Sequence, residues 1–314
     1  MSRDSEDTSP LPITVSPEKR LAAGASALVQ VDVAGMSDPG RVRRGNEDHF
    51  VALRFERSMK TLLSNLPEGE VPPTYGETAY GYLVADGVGG NAAGEVASRT
   101  AIHALIGLAM ETPDWNMRLD AHVADEVLRR MEERFRKVRE ILVERSKENP
   151  SLSGMATTLT AACTIGPEVL TAHVGDSRAY IARKGRGVEK LTRDQTMAQS
   201  LADSGAIAQE DVARSPYRNV LTSALGTKGM FVQVELGRAR LEDGDALLLC
   251  SDGLTEMVPE DRIAQVLREA RSSDDACRRL VDYALEAGGS DNVTVIVARY
   301  RIPSAAERLE ETGG

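Results

Sequence analysis

Short runs of aliphatic and β-branched residues recur at Leu28–Val33, Tyr80–Ala85, Thr157–Ile165, Val169–Val174, Ala179–Arg183, Phe231–Leu236, Ala246–Cys250 and Val293–Tyr300. Each has strand length and polar or glycine-bearing flanks, so the pattern predicts strands enough for two sheets. Apolar positions three and four apart predict helices through Ala93, Val96, Ala97, Thr100, Ala101, Ala104, Leu105 and Leu108, and through Val123, Val127, Met131, Phe135, Val138 and Leu142. Two more are predicted over Pro259–Ala270 and Ser273–Ala287, the latter opening with Asp274 and Asp275, where carboxylates favour the helix dipole. Strands and helices fall in blocks rather than in strict βαβ alternation, which favours layered antiparallel sheets over a parallel nucleotide-binding sheet.

Two segments break the pattern. Residues 55–79 carry Leu62, Leu63 and Leu66, then Pro67, Gly69, Pro72, Pro73 and Gly76, and predict a helical turn followed by an irregular loop. Residues 194–219 predict a short helix over Thr196–Ser204, a stop at Gly205 and a polar excursion through Pro216. Residues 1–25 and 303–314 lack periodicity and read as tails around one domain spanning 26–302.

Composition then narrows the function classes. Hydrophobic residues are 41% of the 314 and charged ones 27%, which supports a sizeable core and excludes a wholly disordered chain. Lys and Arg number 38 against 48 Asp and Glu, a net charge of −10 that repels phosphate backbones and anionic lipid, so no nucleic-acid or membrane partner is expected. Cys163, Cys250 and Cys277 are far apart and form no C-x-x-C pair, which predicts free thiols in a reducing, cytoplasmic setting. Met1–Pro17 has no apolar run of a secretory signal, and no uninterrupted apolar stretch of about 18 residues occurs.

The candidate chemistry lies in aspartates at strand ends: Asp86 before Gly87-Val88-Gly89-Gly90, Asp176 after Gly175, Asp252 before Gly253, and Asp291 before Asn292. An isolated Asp-Gly is more often a turn. Here Asp86 and Asp252 are followed by helical patterns rather than by a returning strand, and several carboxylates at buried strand mouths are costly unless paired or bound to metal. The four histidines, His49, His103, His122 and His173, have unrelated spacings, with His103 and His122 read as helix-surface residues. A metal bound here would therefore be a hard one, Mg²⁺ or Mn²⁺, on carboxylates and carbonyls. Arg41–His49 adds Glu47 and Asp48 beside Arg41, Arg43 and Arg44, a segment that by itself reads first as a solvated charged loop.

Taken in order, Ser37-Asp38-Pro39-Gly40 with Arg43 and Asn46-Glu47-Asp48, Asp86–Gly90, Gly154–Thr158, Gly175-Asp176-Ser177-Arg178, Leu191–Asp194, Leu221–Gly226, Ser251–Leu254 and Ser290–Thr294 resemble the bacterial branch of the PP2C-type metal-dependent Ser/Thr protein phosphatases. The motifs span 37–294, nearly all of the chain apart from its tails. The resemblance implies an α+β, four-layer αββα sandwich: two antiparallel sheets flanked by antiparallel helix pairs, with metals in a cleft at one end. It implies that Asp86 bridges two Mn²⁺ or Mg²⁺ ions with the Gly87 carbonyl on one of them. Asp252 and Asp291 complete the set, and Glu47 and Asp48 contribute directly or through water. Asp176 matches the acid of a third, weaker site shared with Asp252, and Arg43 the phosphate-binding arginine.

The implied reaction is hydrolysis of phosphoserine and phosphothreonine on proteins by a metal-bridging water, without a phosphoenzyme, by a monomer opposing a bacterial Ser/Thr kinase. Residues 195–219 match the family's flap; both that segment and 55–79 are expected to border the cleft, and one or both to select the substrate. Val88 stands where some members carry a histidine, Ala156 where glycine is common, and Gln195 where histidine often follows the Asp. Two other readings share the fold: a catalytically silent binding module, and a phosphatase of an anti-sigma-factor antagonist. The intact Asp86, Asp252 and Asp291 argue against the first, and Arg43 with Asn46-Glu47-Asp48 against the second.

Overall fold

The computed structural model describes residues 29–67, 69–88, 92–111, 121–226 and 232–304. In chain order the elements are β1 (Gln30–Asp38), β2 (His49–Lys60), β3 (Thr74–Ala85), β4 (Gly87–Val88), α1 (Ala92–Met110), α2 (Ala121–Glu148), β5 (Ala156–Thr157), β6 (Leu159–Ile165), β7 (Glu168–Val174), β8 (Arg178–Arg183) and β9 (Gly187–Lys190). They continue as α3 (Met197–Asp203), β10 (Glu235–Arg240), β11 (Ala246–Cys250), α4 (Asp252–Thr255), α5 (Glu260–Glu269), α6 (Ser273–Glu286) and β12 (Val293–Arg301). Two five-stranded sheets, ordered β1-β12-β11-β8-β9 and β10-β7-β6-β3-β2, pair antiparallel throughout.

The two-residue repeat of the strands sorts side chains into layers. Leu247 and Leu249 of β11, with Ile296 and Ile181 of the same sheet, face the other sheet, where Tyr82 and Val84 meet them. Leu248 and Cys250, one residue out of phase, pack under α5 and α6 with Val266, Leu267 and Leu280. On the opposite side, Leu159, Ala161 and Leu170 pack under α1 and α2 with Ala101, Phe135 and Leu142. Helices, sheet, sheet and helices give the four layers that the resemblance implies. A buried leucine at such a seam contributes about 1.5–3 kcal/mol by leaving water.

The hairpin β2–β3 differs from expectation. Residues 55–60 and 74–79 are strand, so the irregular connection shrinks to 61–73, and Leu62, Leu63 and Leu66 sit outside any helix and exposed. Its register pairs His49 with Ala85 at one end and Lys60 with Thr74 at the other. Since Asp48 and Asp86 flank the first of these pairs, the tip lies roughly 35 Å from them. The expectation that this loop borders the cleft is therefore overturned: it caps the opposite pole. The strand itself escapes the hydrophobic pattern because β2 is an edge strand whose outer positions, among them Arg54, Glu56, Arg57 and Lys60, are exposed. The run Phe231–Leu236 is displaced as well, since the strand is β10, Glu235–Arg240.

The predicted tails at 1–25 and 305–314, together with Leu28, Gly89, Gly90, Phe231 and the His122 side chain, lie outside the described residues. Residues 303–304 are irregular, and His103 is exposed on α1 as expected. All three cysteines are free thiols. Among the described residues no helix is long and apolar enough to cross a membrane.

Candidate metal centre

The acids gather where strand ends from both sheets meet. Asp86 follows β3, Asp252 follows β11 and opens α4, Asp291 precedes β12, Asp176 sits in the turn between β7 and β8, and Glu47 and Asp48 precede β2. The backbone of Asp86 is fixed on both sides: its N–H donates to Thr158 Oγ1 (3.0 Å), and its carbonyl accepts from Thr158 N–H (2.9 Å) and Thr157 Oγ1 (2.8 Å). Close approach requires two glycines here. A Cβ on Gly94 would strike the Glu47 carboxylate, and one on Gly253 would strike the Asn292 carbonyl. The start of α1 therefore lies directly on Glu47, and α4 directly on the Asp291–Asn292 turn.

Asp48 is buried, with Oδ2 accepting from Ser251 Oγ at 2.7 Å, while Oδ1 is buried without a hydrogen-bond partner. Asp252 Oδ1 is likewise buried and unpartnered. Glu47 N–H donates to Asn292 Oδ1 (2.8 Å), and Arg43 reaches across to Asp291 Oδ2 at 2.5 Å. The Arg43–Asp291 pair is largely exposed on the arginine side, so it is worth no more than about 1 kcal/mol and releases easily to a better anion. Asp291, as hydrogen-bond acceptor, raises the Arg43 pKa further.

Burial pushes Asp48 up to about 6 and Asp176 up to about 7. Asp86 and Asp252 are held well above the ordinary carboxylate range, first by loss of water and then by the surrounding acids. For Asp86 those acids are Asp48, Asp252, Asp176 and Asp291, so five carboxylates share one electrostatic field. Such a set holds protons when nothing else neutralises it, and a divalent cation removes the repulsion outright.

The residues fit hydrated hard ions. Every donor is oxygen, two buried carboxylate oxygens await a partner, and thiols and imidazoles stand aside. Among the described residues no three acid, imidazole or thiol groups close tightly around one point. Mg²⁺ requires no such closed cage, since it keeps several waters and takes only one or two carboxylates directly. The structure thus brings Arg43, Glu47, Asp48, Asp86, Gly87, Asp252 and Asp291 to one end of the sandwich, with Asp176 coupled to the same field.

Asp176 and Asp252 also line a cleft of about 470 Å³ whose far wall is the 195–219 segment, through Thr196, Gln199, Val212 and Arg218. In that segment α3 is N-capped by Thr196, and a 3₁₀ turn covers Gln209–Arg214, close to the predicted short helix and excursion. It thus borders the site as expected, unlike 61–73. None of the acids lines an apolar cavity of about 150 Å³ under α1 and α2.

Sequence reasoning assigned no role to four residues that the structure makes supports. Ser251 and Thr158 hydrogen-bond Asp48 and the Asp86 backbone, Asn292 ties down Glu47, and Arg178 clasps Asp194 through Nε (2.9 Å) and Nη2 (2.6 Å) at the root of the flap. Each stood inside a quoted motif, so the available signal was adjacency to a candidate ligand. Gln195, at the histidine-bearing position, accepts from Gly175 N–H (3.1 Å) and donates to Gln233 O (2.9 Å), a structural bridge between the Asp176 turn and the approach to β10.

Known proteins resemble this chain in sequence and in fold. Residues 75–286 match the family model described as protein phosphatase 2C. The chain is 35% identical over 261 residues to the serine/threonine phosphatase stp of Listeria monocytogenes, covering 83% of this chain and 92% of that one. It is 30% identical to protein phosphatase PhpP of Streptococcus pneumoniae, covering 84% and 96%. Among solved structures, the Mycobacterium tuberculosis serine/threonine phosphatase PstP/Ppp superposes with a TM-score of 0.69 at 33% identity, covering 87% of this chain and 99% of that one. The catalytic domain of PstP in complex with two manganese ions gives 0.67 at 32% identity, covering 87% and 99%. From the family match and these likenesses together, this chain belongs to the protein phosphatase 2C family.

Proposed function

We propose that the chain hydrolyses phosphoserine and phosphothreonine monoesters on proteins, with Mn²⁺ or Mg²⁺ as cofactor and without a phosphoenzyme. The supporting observation is the field of five carboxylates beside Arg43, with two buried carboxylate oxygens lacking a protein partner. Asp86 and the Gly87 carbonyl, with Asp252 and Asp291, would hold two ions, and Glu47 and Asp48 would contribute directly or through water. Asp176, with Asp252, would hold a weaker third. When bound, the ions supply positive charge to screen a phosphomonoester dianion and a water acidified for in-line attack on phosphorus.

The chain's own groups do the rest. Arg43 exchanges Asp291 for phosphate oxygens, offering a forked pair of N–H donors that a lysine cannot match in geometry. Ser251 and Thr158 hold Asp48 and Asp86 in place, so little reorganisation is left for the reaction itself. Val88 offers no proton at the position after Asp-Gly, so the leaving alkoxide takes its proton from water rather than from that side chain. The cleft under the 195–219 flap receives the protein substrate around the phosphorylated residue, and the substrates are products of a Ser/Thr kinase that this enzyme opposes. A cytoplasmic setting is supported by the three free thiols.

Hydrolysis of a phosphothreonine peptide tests the proposal, measured with Mn²⁺, with EDTA, and with Asp252→Asn as control for contaminating phosphatase. Turnover that requires Mn²⁺ and vanishes in the variant is expected. A folded, Mn²⁺-loaded wild type without turnover on peptides and on phosphoproteins would favour the silent binding module.

A further inference from the structure

We infer that Asn292 is a positioning residue for Arg43, and through it for the substrate phosphate; the inference rests on the phosphate-binding role proposed for Arg43. Asn292 is buried at 6% exposure, and its side chain spends nearly all of its hydrogen-bonding capacity on one loop. Nδ2 donates to Pro39 O (3.0 Å) and Gly45 O (2.9 Å), and Oδ1 accepts from Glu47 N–H (2.8 Å). Those three backbone groups bracket Arg43 on both sides.

The loop has other restraints on either side of the arginine. Residues 40–42 form a turn, Gly40 N–H donates to Asp38 Oδ1 (2.8 Å), Arg41 N–H to Gly289 O (2.8 Å) and Arg41 Nε to Leu285 O (2.9 Å), while beyond Arg43, whose own head reaches Asp291, Asn46 Nδ2 donates to Ser37 Oγ (2.7 Å). The bend that presents Arg43 therefore hangs between Arg41 on one side and Asn46 with the Asn292 amide on the other. Asn292 itself is a firm anchor: its N–H donates to Asp291 Oδ1 (2.8 Å), its carbonyl abuts Gly253, and β12 begins at the next residue.

Residue type matters here. An amide head carries two donors and an acceptor, matching two carbonyls and one N–H. An aspartate of the same shape would turn both donors into acceptors facing the carbonyls of Pro39 and Gly45, and the loop would leave its place. The Glu47 N–H would still find an acceptor oxygen on the aspartate, so Glu47 and the acids on the other strand ends stay where they are, while Arg43 meets the phosphate from a scattered set of positions, which weakens binding.

The test uses the full chain loaded with Mn²⁺, in four forms: wild type, Asn292→Asp, Arg43→Ala and the double variant. Three quantities are read: inorganic phosphate affinity by calorimetry, KM and kcat on a phosphothreonine peptide, and hydrogen exchange of residues 38–47. Asn292→Asp should weaken phosphate binding and raise KM by about tenfold, leave Mn²⁺ affinity within about threefold, and add less than about twofold once Arg43 is already alanine. Exchange across 38–47 should quicken in Asn292→Asp.

The same tenfold loss in the Arg43→Ala background, unchanged phosphate affinity, or a parallel loss of Mn²⁺ binding would each overturn the inference. Should Asn292→Asp not fold, Asn292→Ser carries the same comparison, and unfolding of both would assign Asn292 to the core and likewise overturn it. A wild type that binds phosphate in an Asn292-dependent way yet hydrolyses nothing would contradict the proposed function alone.

Discussion

The hairpin β2–β3 ends in two opposite ways. At His49–Ala85 it delivers Asp48 and Asp86 into a buried field of acids, whereas at Lys60–Thr74 it delivers Leu62 and Leu63, 81% and 95% exposed, to water. Each end inverts the usual distribution of charge and grease, but only one inversion carries a large cost. Burying unpaired carboxylates opposes folding by several kcal/mol, whereas a few exposed leucines cost little. A costly inversion surrounded by precise supports, such as Ser251 under Asp48 and Thr158 under Asp86, marks a working site; a cheap one without supports does not.

The largest effect expected at the costly end is loss of turnover. Asp86→Asn or Asp252→Asn should lower kcat at least about 1,000-fold, because the cation charge facing phosphate is no longer held. Peptide hydrolysis at saturating Mn²⁺ checks this, and near-normal rates would dissolve the distinction between the two ends. Arg43→Lys keeps the charge but loses the fork, so its loss should be roughly 10- to 100-fold and fall mainly on KM.

Stability against pH sharpens the contrast further. Asp48 and Asp176 titrate near 6 and 7 in the folded chain, above the usual carboxylate value of about 3.9. The folded state therefore holds extra protons, and the stability linked to them is present at low pH and lost as pH rises through the folded pKa values. Without metal, Tm should fall by about 5 °C between pH 5 and 8, most of it before pH 7.5, and saturating Mn²⁺ should remove the fall. Buried His173, pushed down to about 4 from its ordinary value of about 6.5, acts in the opposite sense across the lower part of that window and offsets part of the fall. Calorimetry with EDTA and with Mn²⁺ reads both curves.

The smallest effect belongs to the far pole. Replacing Leu62, Leu63 and Leu66 together by serine should change peptide turnover less than about twofold and stability by about 0.5 kcal/mol or less. A strong loss of turnover on peptides would return this loop to the active site, against the register of the hairpin.

How far the sequence discloses this molecule follows from the same physics. Strands buried on both faces, such as Ala246–Cys250, announce themselves as continuous apolar runs, and the helices α1, α2, α5 and α6 by their apolar stripes. Edge strand β2 is hidden because its exposed outer residues and the Pro- and Gly-rich connection after Lys60 dilute the alternation of Val51, Leu53 and Phe55. The acids were legible through strand-end placement and motif order, since each ligand candidate is local to a turn. Asn292, Ser251 and Thr158 were not, because their partners lie 245, 203 and 72 residues away in sequence and only the closed sandwich brings them together.

The most direct test of the central claim is a calorimetric titration of Mn²⁺ into the EDTA-stripped chain, run on wild type and Asp86→Asn. Wild type should bind at least two ions with release of protons, as cations replace those held by the raised carboxylates, and Asp86→Asn should lose both tight sites. Undiminished Mn²⁺ binding by folded Asp86→Asn, or none by wild type, would contradict the assignment of these acids as the metal centre.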